Sequence, residues 1–138
     1  MAQNDSLYPS SKGVNFKPFR VIADDSETSL NAIPAGVAVI EVLGVTNDAN
    51  DFIVLPRLGQ VQNGQEITIL CSAGANFEMR TPTASGEEIN SEDADGTKEY
   101  LCTDTEIIRL VKIDDTIGWM AHAYSAIGAV VTAVVPHA

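Results

Sequence analysis

Short apolar runs separated by turn residues make up most of the chain after residue 20. Residues 66–71 alternate polar and apolar side chains, which is typical of a strand with one buried face. Residues 37–43 and 52–55 are apolar and β-branched, and an Asn/Asp cluster at 47–51 separates them. This pattern predicts two strands joined as a hairpin.

Short strand-like runs separated by turn residues continue to the end of the chain, and no amphipathic helix longer than two turns is indicated. Many short strands between regularly spaced turn signals are typical of sandwiches and jelly rolls. We therefore predict an all-β fold, a β-sandwich or jelly-roll-like domain spanning residues 21–138. Besides the strands above, we expect strands at 21–23, 30–33, 77–80, 100–102, 106–113, 118–124 and 130–135, with residues 84–96 as an exposed loop anchored by Ile89.

Residues 1–20 differ from the rest of the chain. They are rich in Ser, Asn, Lys and Pro, with isolated apolar residues between them. That composition predicts an extended N-terminal arm that is disordered alone and lies on another surface when bound. The alternative is a leader that stays disordered.

Charge is strongly unbalanced along the chain. Eight basic residues face nineteen acidic ones, which gives a net charge of −11. Residues 1–20 hold three bases and one acid, whereas residues 21–138 hold five bases and eighteen acids. An acidic body repels phosphate backbones, so we expect no nucleic-acid partner.

Residues able to carry catalysis or bind a metal are scarce. The two histidines are His122 and His137, too few for a histidine-based metal centre. No nucleophile elbow or phosphate-binding glycine loop is present. We therefore predict no catalytic residue, cofactor or metal. The turns Asn47–Asp51 and Glu92–Gly96 are solvated turns or weak ion sites.

Three further features bear on the cellular compartment of the protein. Cys71 and Cys102 match no metal or redox spacing, and we expect them to be reduced and partly buried, with a disulfide as the alternative. The uncharged stretch 116–138 contains Trp, His, Tyr and Pro. We interpret it as buried strand rather than a membrane span, and we predict no membrane association. Residues 1–20 lack the apolar core of a signal peptide.

Several segments of the chain form a set of structural motifs. They are Ile33-Pro34-Ala35-Gly36, Asp51-Phe52-Ile53-Val54-Leu55-Pro56, the run from Asn63-Gly64 to Ile69, Ile89-Asn90, Thr105–Lys112 and Gly118-Trp119-Met120. In these segments the chain resembles small β-rich virion proteins of tailed bacteriophages, notably trimeric capsid decoration (cement) proteins and head or tail fibre modules. The likeness covers about residues 30–124, and its motifs are structural, so it supplies no active-site residues.

The resemblance implies a structural role rather than an enzymatic one. The expected protein is a homotrimer that binds the outer surface of a phage capsid and bridges subunits of the major capsid protein. It would be assembled in the host cytoplasm and located on the virion. Two alternatives stay open: a fibre or receptor-binding module, and a small trimeric β-fold enzyme.

Two sets of contact residues follow from these expectations. The basic, aromatic-containing arm is predicted to touch the capsid, because apolar anchors and positive charges suit an acidic shell. The uncharged C-terminal strand is predicted to lie at the trimer interface, with intramolecular core as its alternative. The capsid contacts are Tyr8, Lys12, Phe16, Lys17, Phe19 and Arg20, and the interface residues are Val130, Val131, Val134 and Val135.

Overall fold

Strands dominate the structure, a computed structural model that describes residues 17–96, 98–125 and 127–129. Within those residues the regular elements are ten strands and one 3₁₀ turn at Leu58–Gln60, so the predicted all-β class is confirmed. The strands are β1 Phe19–Ala23, β2 Val39–Val45, β3 Phe52–Val54, β4 Glu66–Cys71, β5 Phe77–Arg80, β6 Glu88–Ile89, β7 Glu92–Asp93, β8 Tyr100–Cys102, β9 Ile107–Asp114 and β10 Gly118–Tyr124.

From β2 to β6, successive strands alternate between two sheets. The larger sheet has the order β1-β2-β4-β9-β10-β6-β7, and the smaller has the order β3-β5-β8. Strands β1, β2 and β4 run parallel to one another, and β3 runs parallel to β5. From β2 to β5 the chain therefore winds in a solenoid-like way, adding one strand to each sheet per turn. The antiparallel strands β8, β9 and β10 follow this winding.

The predicted hairpin between residues 37–43 and 52–55 is wrong. β2 pairs with β1 and β4 in one sheet, whereas β3 pairs with β5 in the other. The parallel pairs also depart from a jelly roll, in which neighbouring strands run antiparallel. Alternation along a strand specifies which side chains are buried, but it does not specify the neighbouring strand.

The corner between β2 and β3 is held by a buried carboxylate. Oδ2 of Asp51 accepts hydrogen bonds from the Thr46 hydroxyl and the Asn47 amide, each at 2.7 Å. Burial raises the pKa of Asp51, but these hydrogen bonds outweigh it and the pKa is lowered overall. The turn predicted at residues 47–51 is therefore confirmed. The Asp51 carboxylate holds it where the chain passes from the larger sheet to the smaller one.

Part of the loop predicted at residues 84–96 is ordered as strand. The short strands β6 and β7 pair with each other, and β6 meets β10 where Ile89 lies opposite Trp119. Both of these side chains are fully buried. The anchor predicted at Ile89 thus adds a short strand to the larger sheet, which the polar composition of the segment concealed.

The two sheets share one hydrophobic core. Inward side chains of both sheets form a single buried cluster, and Trp119 and Phe77 are its largest fully buried members. Each buried side chain of this size contributes about 1.5–3 kcal/mol to folding. The alternation in β4 agrees with the sequence pattern, since Ile67, Ile69 and Cys71 are buried.

One inward position of β9 carries a lysine that anchors a turn. Lys112 is almost fully buried, and its Nζ donates hydrogen bonds of 2.6 Å to the carbonyl oxygens of Leu58 and Val61. The same atom lies 2.5 Å from Oδ1 of Asp115. Oε1 of Glu87 accepts a 3.0 Å hydrogen bond from the Leu58 amide. These contacts hold the 3₁₀ turn against the larger sheet.

A close backbone approach at the start of β10 predicts a strong effect of one substitution. Gly118 has φ +81°, and a Cβ built there would overlap the Glu88 carbonyl, 3.2 Å from its carbon and closer to its oxygen. We expect Gly118→Ala to lower the free energy of unfolding by at least about 2 kcal/mol, because strain and overlap combine. Urea denaturation followed by tryptophan fluorescence measures the change.

The matched control is Gly36→Ala. Gly36 has φ +86°, but a Cβ there meets nothing within 4 Å. Only backbone strain remains, so the expected loss is about 1 kcal/mol. Equal losses at the two positions would contradict the close approach of β10 to β6.

Candidate interaction surface

The outward side chains of the larger sheet form a continuous surface, here called the outer face. Pairing registers place them in rows across β4, β9 and β10. One row is Glu66, Val111 and Met120; the next is Thr68, Arg109 and His122; the third is Leu70, Ile107 and Tyr124. The outer face comprises these nine residues together with Arg20, Ile22, Val39, Glu41, Leu43 and Ile113.

The outer face is unusually apolar for a surface open to solvent. Leu43 is 45% exposed, Met120 46% and Ile107 42%. The solvated side of a sheet with one buried face normally carries polar residues. Contiguous exposed apolar surface usually marks an interaction site.

Charges on the outer face are paired with each other. Nε of Arg20 lies 3.1 Å from Oε2 of Glu41, and Nη2 of Arg109 lies 3.1 Å from Oε1 of Glu66. The two arginines and two glutamates of the outer face therefore balance each other in charge. The other described residues carry sixteen acidic and five basic side chains. The surface thus combines apolar character with charge balance on an otherwise acidic body.

The middle of the outer face is concave. An open depression of about 310 Å³ lies over β4, β9 and β10. Its size suits a few side chains of a partner. It is lined by Glu66, Arg109, Val111, Ile113, Met120, His122 and Tyr124.

The outward face of the smaller sheet is different in character. The Arg80 guanidinium lies over the Phe52 ring, 3.3 Å from its centroid, and pairs with Glu99 at 3.6 Å. Phe52 is thereby buried by a charged group rather than left open. Leu101 is 36% exposed on this side.

Glu87 is the carboxyl whose environment most resembles that of a catalytic acid. Burial raises its pKa, and the Leu58 amide and Arg57 oppose the shift. Oε2 is buried without a hydrogen-bond partner among the described residues. Oε1 holds the 3₁₀ turn, so the role that its contacts support is structural.

The two cysteines lie on different strands of the core. Cys71 in β4 and Cys102 in β8 are both buried and free. Burial, together with a hydrogen bond to Cys71, raises the pKa of the Cys102 thiol. Thiols held in the neutral form are poor nucleophiles.

The acidic turns use their oxygens within the protein. Asp51 binds its own turn, Asp95 accepts a 2.9 Å hydrogen bond from the Gly86 amide, and Glu92 pairs with Lys98. Within the described ranges, no group of three or more His, Cys, Asp or Glu residues could hold a metal ion. No helix in those ranges is long and apolar enough to cross a membrane.

The predicted contact residues are only partly described by the structure. Phe19 and Arg20 belong to β1, so the last two residues of the predicted arm are part of the larger sheet. Arg20 is engaged with Glu41, and Lys17 is exposed just before β1. The predicted contacts Tyr8, Lys12, Phe16, Val130, Val131, Val134 and Val135 lie outside the described residues.

Sequence reasoning missed the outer face, although the signal was present. The pattern of β10 placed Met120, His122 and Tyr124 on one side. In β9 the side chains on both faces of the strand are largely apolar, because Ile107 and Val111 on one face alternate with Ile108 and Leu110 on the other. A strand that is apolar on both sides needs a second covering surface.

No protein-family model and no curated protein matches the sequence.

The raised pKa of Glu87 predicts how stability depends on pH. Folding raises the proton affinity of this carboxyl, so its contribution to the free energy of unfolding decreases as pH rises above its usual pKa of 4.5. Glu87→Gln keeps an acceptor for the Leu58 amide and removes the ionisation. We expect the stability of the variant relative to wild type to increase between pH 4 and 7.5, measured by urea denaturation.

The control is Glu66→Gln, whose carboxylate is more than half exposed on the outer face. Its stability relative to wild type should change less over the same pH range. A Glu87→Gln variant whose relative stability falls as pH rises would contradict the buried position of this carboxyl.

Proposed function

We propose that this protein is a structural virion protein that binds the outer surface of a phage capsid as a homotrimer. The observation that carries the proposal is an apolar, charge-balanced outer face on an acidic all-β body. Such a face favours protein association. The shared core of the two sheets supports the β-sandwich component of the proposal.

The proposed mechanism is adhesion by several weak contacts at once. Three arms on one trimer would engage several subunits of the major capsid protein, and avidity would exceed the affinity of a single arm. Each bound trimer would bridge neighbouring subunits and oppose their separation under the pressure of packaged DNA. The acidic surface elsewhere would limit lateral association of crowded copies.

A phage fibre module is the second candidate. The solenoid-like winding of β2, β3, β4 and β5 favours it, because stacked parallel strands can extend along an axis. The capsid-binding protein and the fibre module would both be trimers, and they would differ in their location on the particle. Electron microscopy of particles with the labelled chain distinguishes the head surface from a fibre.

Binding to empty heads tests the proposal directly. The heads are assembled from the major capsid protein encoded in the same genome, and the full chain is added at increasing concentration before sedimentation. We expect saturable co-sedimentation. A protein that stays in the supernatant at all concentrations would contradict the proposal.

Removal of residues 1–16 tests the arm. This deletion spares β1, which begins at Phe19. We expect at least about a tenfold loss of affinity for heads, because three arms act together. The control is that the circular dichroism spectrum and molar mass match the full chain. Unchanged binding would disprove the role of the arm.

A further inference from the structure

We infer that the outer face is the surface through which copies of this chain contact one another in the proposed trimer. This inference depends on the proposed function for the existence of a trimer, and it assigns the contact to outward residues of β2, β4, β9 and β10. The C-terminal valines predicted from the sequence are not required for it.

The first argument is the distribution of apolar surface. Ile107 and Tyr124 share the third row of the outer face, and Met120 lies in the first row. Leu43 extends the apolar surface across β2. Mutual burial removes this surface from water in every copy at once. Burial of this apolar area favours the contact and must exceed the cost of ordering the side chains and of association.

The second argument is charge. The chain carries −11, so two copies repel each other when uncompensated carboxylates approach. The outer face holds equal numbers of arginines and glutamates. It is therefore a surface on which identical acidic molecules can meet without placing unpaired like charges together.

The third argument concerns the ion pair beside the central depression. The Arg109 and Glu66 side chains are both more than half exposed, so each retains capacity for a second partner. In a contact between copies, Arg109 of one chain can also pair with Glu66 of the next. Neither charge is then buried without a partner, which avoids the main penalty of covering charged groups.

Other occupants of the outer face make different predictions. Residues 130–138 are uncharged, and they follow a reversal in which the Ser125 amide donates a 2.9 Å hydrogen bond to the Ala129 carbonyl. They could cover the outer face within one chain. The major capsid protein could also cover it. Charge balance favours a second copy as the occupant, because a charge-balanced face avoids the electrostatic repulsion between identical acidic chains.

The test uses full-length variants with a matched control. Met120→Lys and Ile107→Lys each place a charge on the outer face, and Leu101→Lys places the same charge on the smaller sheet at similar exposure. Sedimentation equilibrium over a wide concentration range measures the mass. We expect wild type and Leu101→Lys to show three times the 14.7 kDa of one chain. The outer-face variants should need at least about tenfold higher concentration to associate.

Each remaining outcome overturns the inference in an identifiable way. Trimers of unchanged affinity in both outer-face variants would assign the contact to another surface and leave the proposed function intact. Unchanged mass with a lowered unfolding midpoint would indicate that residues 130–138 cover the face. Unchanged mass with lost binding to heads would assign the face to the capsid protein. A wild-type monomer at all concentrations would contradict both proposals.

A further result separates the inference from the proposed function. The Met120→Lys variant could lose the trimer while the wild-type trimer fails to bind heads. That result would support the outer-face contact. The same result would contradict the capsid role. Circular dichroism and the unfolding midpoint of each variant show whether its fold is retained.

Discussion

The central strands of the larger sheet carry apolar side chains on both faces, whereas the described core covers only the inner face. The rest of the structure depends on this constraint. In β9, Ile108 and Leu110 are fully buried, whereas Ile107 lies open on the other side. The hydrophobic effect that orders the inner side acts equally on the outer one. Association is the simplest way to satisfy both sides, and charge balance on the outer face makes association between acidic copies possible.

The remaining architecture supports that sheet through strand pairing and buried contacts on its inner side. The parallel winding brings β2 and β4 together from distant parts of the chain, and β9 pairs with β4 to extend the same surface. Lys112, on the inner side of β9, fixes the 3₁₀ turn through two carbonyl oxygens. A surface supported in this way can pack against a partner with little loss of conformational entropy.

The sequence predicted the strands better than their arrangement. Burial alternation in residues 66–71 located β4 correctly, and the turn cluster ending at Asp51 located the corner. The hairpin prediction was wrong because local pattern carries no information on parallel partners distant in sequence. Ile89 joined the larger sheet through its contact opposite Trp119, which no local signal in that polar segment indicates. The outer face could have been predicted from the sequence of β9, in which the side chains on both faces of the strand are largely apolar.

Oxidation of Met120 by hydrogen peroxide tests the central claim most directly, because a thioether reacts at a rate set by its exposure. Peptide mass spectrometry follows the wild type at several protein concentrations, with fully buried Met79 as the slow reference and a Leu101→Met variant supplying an exposed one. We expect Met120 to react as slowly as Met79 in concentrated protein and to accelerate on dilution. Reaction of Met120 at a constant rate, as fast as the methionine at position 101, would contradict burial of the outer face between copies.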